Sequence, residues 1–103
     1  MEKYCKVVRM SEDQLAGDIA RGHQAQRLLE DEFFAGVIAT MKAEYMLGWE
    51  RSNPGDADAR EKMWVLCNAL GNIQKELQKI AADGRVAQSN LDYAIKQKAL
   101  RVV

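Results

Sequence analysis

Apolar residues recur at helical spacing along most of this chain. Between Asp58 and Gly84, Met63, Leu66, Leu70, Ile73, Leu77 and Ile80 follow one another at steps of 3, 4, 3, 4 and 3. That is the a/d heptad of a helix packing along a partner helix. A second stripe, Phe34, Ile38, Met41, Tyr45 and Trp49, steps by 4, 3, 4 and 4. Beside it lie Phe33, Val37, Leu47 and the small residues Ala35, Gly36, Ala39 and Ala43. An apolar arc this wide exceeds what one facing helix can cover.

The punctuation between stripes predicts the elements. Residues 1–10, with Tyr4-Cys5-Lys6-Val7-Val8-Arg9, form an N-terminal arm that is either a brief strand or an ordered segment. Ser11 can cap a helix, Gln14 can reach back as its capping-box partner, and Met10 can staple onto Leu15. A first helix is therefore expected over 12–30, kinked or broken near Gly22, since each interior glycine costs about 1 kcal/mol relative to alanine. Either this helix runs on, or Asp31 caps a new one over 32–51, with Glu30-Asp31-Glu32 favourable at its positive N-terminus. We take the second reading. Ser52-Asn53-Pro54-Gly55-Asp56 is an unambiguous break. The next helix is expected over 58–83, with Asp58 and Glu61 as its capping box and Gly84 as its C′ residue. Ser89 and Asp92 would then start a C-terminal helix or tail over 89–103.

Two helices joined by so short a connection are antiparallel neighbours. The expected fold is all-α, a single domain in which an antiparallel helical hairpin (32–51 and 58–83) carries additional N-terminal and C-terminal helices. Trp49, Tyr45 and Trp64 fall at the turn end of that hairpin as an aromatic cluster. The heptad alone is too small to hold the hairpin, and the second stripe leaves apolar surface over. A homo-oligomer follows, most simply a dimer completing a helical bundle with a four-helix core.

Composition narrows the class further. The chain has 103 residues, 48% hydrophobic and 29% charged, with one proline, which suits one helix-rich domain. Fifteen basic and fifteen acidic residues leave a net charge of zero, so wholesale attraction to nucleic acid or an anionic membrane is not the default. The charge is unevenly placed: Glu30, Asp31, Glu32, Glu44 and Glu50 oppose only Lys42, while Arg85, Lys96, Lys98 and Arg101 oppose only Asp92. Glu30, Asp31, Glu32, Lys96, Lys98 and Arg101 are thus candidates for a partner surface, against the alternative of solvated faces whose ion pairs contribute little. No apolar run reaches the length of a membrane span, and Met1-Glu2-Lys3-Tyr4 is not followed by a signal-peptide core. A cytoplasmic site of action is expected.

Candidate chemistry is sparse. Cys5 and Cys67 belong to no C-x-x-C pair, so neither a zinc site nor a redox motif is read from them; Cys67, beside the seam, reads as a small buried hydrophobe. His23 is the single histidine and has no H-E-x-x-H or Glu-x-x-His context. No phosphate-binding glycine loop or nucleophile elbow occurs. No catalytic residue, metal site or cofactor is expected, and the chain does not read as an enzyme. Arg21, Arg27 and the basic tail could contact phosphates, yet no helix carries a dense basic face with stacking aromatics. Nucleic-acid binding is the less favoured alternative.

One resemblance adds context. Ala25-Gln26-Arg27-Leu28-Leu29-Glu30-Asp31, Ala43-Glu44-Tyr45 with Trp49, Asp58-Ala59-Arg60-Glu61-Lys62-Met63-Trp64 and Ala81-Ala82-Asp83-Gly84-Arg85-Val86-Ala87 together resemble a loosely defined family of short helical proteins encoded by tailed phages and prophages. The resemblance spans about Arg21 to Ala87. It implies a phage context and a helical hairpin, not an activity. Family members often carry proline where this chain has Glu32. Two functions follow as expectations: an oligomeric structural or assembly factor in head formation or DNA packaging, associated with the virion, or a small inhibitor that occludes a host protein.

Overall fold

The computed structural model describes residues 11–102, with side chains through Leu100. The N-terminal arm, Met10 as a staple and the Arg101 side chain lie outside the described residues. Three helices account for nearly all of the rest: α1 (Glu12–Glu30), α2 (Glu32–Arg51) and α3 (Ala57–Val102). Among the described residues there is no strand.

The helix ends are built from local side chains. At the start of α1 the Ser11 N–H donates to Gln14 Oε1 and the Gln14 N–H donates to Ser11 Oγ, both at 3.2 Å. Two amides without intrahelical partners are thus satisfied reciprocally. Asp31, in extended backbone geometry, separates α1 from α2 and accepts the Phe34 N–H at 2.9 Å. α2 ends at Ser52, whose hydroxyl donates to the Trp49 carbonyl at 2.6 Å. The Asp56 N–H then closes a turn onto the Asn53 carbonyl at 2.8 Å, around Pro54 and Gly55. Asp56 starts α3 by accepting the Ala59 N–H at 3.2 Å. The cap is therefore Asp56, not the expected Asp58, because Pro54 and Gly55 complete the turn two residues earlier.

Two expected breaks are absent. α1 is helical straight through Gly22. α3 passes Gly84 and Ser89 without a break, so the expected helices over 58–83 and 89–103 are one element. Gly84 keeps a negative φ, and it lacks a side chain for a different reason, given below. Ser89 lies exposed within the helix.

The chain divides into two units by contact. One joins the residues up to Gln26 with those from Lys79 onward; the other is Arg27–Gln78. In the first, α1 and the later part of α3 meet backbone to backbone. A Cβ on Gly22 would lie 2.7 Å from Gly84 Cα and 3.3 Å from the Ile80 carbonyl oxygen. A Cβ on Gly84 would lie 2.8 Å from Gly22 Cα and 3.1 Å from the Asp18 carbonyl oxygen. Each glycine thus sits against the other and against the carbonyl four residues before it. Leu15, Ala25, Ala81 and Ala87 are the buried residues around this crossing. Small side chains let the axes come close enough for dispersion contacts along the whole seam.

In the second unit, α2 packs against the early part of α3. The Arg60 guanidinium lies over the Trp49 ring at 4.2 Å, Gly48 faces Met63, and the Lys42 carbonyl accepts the Cys67 thiol at 3.9 Å. Lys42 Nζ also donates to Gln74 Oε1 at 2.7 Å. Ile38 and Leu70 are the buried residues here.

Candidate functional site

The face that α3 turns toward α2 differs from the heptad read in the sequence. Met63, Leu70 and Leu77 face inward as expected, but the intervening positions are Cys67 and Gln74, while Leu66 and Ile73 are exposed by 39% and 45%. The helix is turned by roughly half of the ~100° that separates successive residues. Both positions carry polar contacts to α2: Gln74 Oε1 accepts from the Lys42 ammonium, and the Cys67 thiol meets the Lys42 backbone carbonyl, so the ammonium has the acceptor it needs on this face. Ile80 belongs to the first unit, where it is half-buried and its carbonyl faces Gly22.

On the second stripe, Ile38 is buried and Phe34, Met41 and Tyr45 are half-buried. Trp49 is 42% exposed and Trp64 62%. Both line one open groove of about 450 Å³ with Lys42, Tyr45, Met46, Met63, Cys67 and Asn68. Of its lining, Tyr45, Met63 and Cys67 are half-buried, while Met46 on α2 and Trp64 on α3 are 57% and 62% exposed. Its one charged lining residue is Lys42, already held by Gln74. A concave, aromatic and methionine-rich surface of this kind suits an apolar partner surface.

A second apolar hollow, along α2 alone, is lined by Phe33, Gly36, Val37, Thr40 and Met41, with Glu32 and Glu44 at its edge. Phe33 is 81% exposed. Within the first unit a cleft of about 330 Å³ is lined by Gly22, His23, Gln26, Ala81, Gly84, Arg85 and Gln88.

The charged candidates are not gathered into one site. Asp31 is spent on its capping bond. Glu30 and Glu32 are exposed on either side of it. Lys98 pairs with Glu12 within the first unit, both ends well exposed, and such a pair contributes little. Lys96 is exposed. Among the described residues no cluster of His, Cys, Asp or Glu could hold a metal ion, and no helix is long and apolar enough to cross a membrane.

Sequence reading named the aromatic members of the groove and missed Lys42, Met46 and Asn68, and also Gln74, which holds Lys42. Met46 lies off the 4, 3, 4, 4 stripe, and the signal for Gln74 was a polar residue one step beyond an apolar heptad position. Comparison with known proteins finds no matching family model, curated protein or solved structure.

Proposed function

We propose that this chain is a non-enzymatic helical protein that works through protein–protein contacts, as an oligomeric structural or assembly factor. One observation carries the reading. Among the described residues, six hydrophobic side chains are buried, three of them alanines, whereas fourteen large ones are at least 39% exposed. Isolated exposed apolar residues are ordinary, but large contiguous sets mark interaction surfaces. Ten of the fourteen fall in Arg27–Gln78, where a helical hairpin offers its few buried residues to a core that more chain would complete. A dimer closing a four-helix bundle is the simplest completion.

The phage context rests on the resemblance described above and supports a role in head formation or DNA packaging, in the host cytoplasm or on the virion. Affinity capture from infected and uninfected host lysates, alongside light scattering of the purified chain, tests it. Virion or packaging proteins in the captured fraction and an oligomeric mass support the assembly role. Capture of host proteins alone transfers the reading to an inhibitor of a host protein. A monomer that captures neither overturns both.

A further inference from the structure

We infer that the groove between Tyr45, Met46, Trp49 and Trp64 is where a second copy of this chain docks, in a two-fold pairing that sets Trp64 and Met46 of each copy into the groove of the other. The inference rests on the self-association proposed above and adds the face that mediates it.

Three features select this face and this occupant. First, it joins exposed and recessed side chains: Trp64 and Met46, 62% and 57% exposed, line the same groove as half-buried Tyr45, Met63 and Cys67. A patch holding both knob and hole is self-complementary under a two-fold axis. Second, the area fits. Trp49, Trp64 and Met46 expose roughly 350 Å² between them, taking ~200–250 Å² for each whole side chain. A standard interface of ~800 Å² per partner is a little over half apolar, roughly 450 Å², so these three side chains supply most of its apolar part and the flanking helix surfaces the remainder. Third, the charges allow it. The groove has one charged lining residue, Lys42, whose ammonium is hydrogen-bonded to the neutral Gln74 of the same copy, and Arg60 is already seated over Trp49. The alternative hollow beside Phe33 is lined by two carboxylates, Glu32 and Glu44, so a two-fold pairing there gathers four like charges in the lining where the groove gathers two.

Sedimentation and light scattering across the micromolar range, on the full chain, test the inference with Trp64→Glu and Met46→Glu against Phe33→Glu as control. All three positions are exposed by more than half, so the far-UV helix signal should be retained. Trp64→Glu and Met46→Glu should each raise the dimer dissociation constant at least about thirtyfold, as expected at an interface hot spot, with Phe33→Glu within about threefold. In a Cys5→Ser background, alkylation of Cys67 should slow as the concentration of the otherwise unchanged chain rises. That measurement decides the matter even where a glutamate variant loses its helix signal.

A dimer that resists both groove variants, or that Phe33→Glu dissolves equally, overturns the face while leaving self-association standing. A monomer throughout, with Cys67 alkylated at one rate at every concentration, overturns the underlying reading too and leaves the groove to a helix of another protein.

Discussion

At the scale of single residues, the glycines separate into those the fold requires and those it tolerates. A side chain at Gly22 would meet Gly84 Cα at 2.7 Å, and one at Gly84 would meet Gly22 Cα at 2.8 Å. Neither obstacle is a flexible side-chain tip, so the helices themselves would have to separate. Alanine is the better helix former by about 1 kcal/mol, yet overpacking a close seam costs about 1–3 kcal/mol and takes its neighbours' contacts with it. Gly22→Ala and Gly84→Ala should therefore both lower stability in urea melts. Gly17 has nothing within 4 Å of its would-be Cβ, so Gly17→Ala should raise stability by about 0.5–1 kcal/mol. If Gly22→Ala also stabilised the chain, the helices would not be in the contact described.

At the scale of elements, the start of α3 offers a sharp comparison. Asp56 accepts the Ala59 N–H, whereas Asp58 lies in the first turn of the helix, where its contribution is to the dipole. Asp56→Ala should cost about 1 kcal/mol as a lost cap, and Asp58→Ala about 0.3–1 kcal/mol, diminishing with salt. Thermal melts of both at low and high ionic strength check the ranking: the Asp56 cost should persist in salt. An equal, salt-independent loss at Asp58 would return the cap to the capping-box reading. Local capping and turn signals were legible at Ser11 with Gln14, at Asp31 and in the break across Ser52 to Asp56, but not in the choice between Asp56 and Asp58, two capping residues in reach of the same helix start. Gly84 was misread because a glycine ending a helix and a glycine admitting a second helix look alike in one dimension; Gly22, sixty-two residues away, distinguishes them. The heptad had a similar ambiguity. Leu66 and Ile73 are the more apolar choices, but Cys67 and Gln74 share Lys42, and a long-range polar bond leaves no periodic trace. The groove was half legible, its tryptophans by their place near the turn, and Met46 by nothing in the pattern.

At the scale of the molecule, stability and self-association must be linked. If a second copy covers the groove in the folded state, mass action favours folding as concentration rises. For a dimer that unfolds as it separates, a tenfold rise adds about 0.7 kcal/mol per protomer, half the ~1.4 kcal/mol of a tenfold change in an equilibrium constant. In a chain of this size that corresponds to about 3–6 °C in Tm. Melts followed by helix signal across two decades of concentration should show that slope for the unaltered chain, and Trp64→Glu should flatten it. Gly22→Ala should lower every midpoint yet keep the slope, since Gly22 lies among the residues up to Gln26 and the groove lies within Arg27–Gln78. The two substitutions thus separate folding within the chain from association between chains. A midpoint independent of concentration for the unaltered chain would place the exposed tryptophans outside any contact between copies.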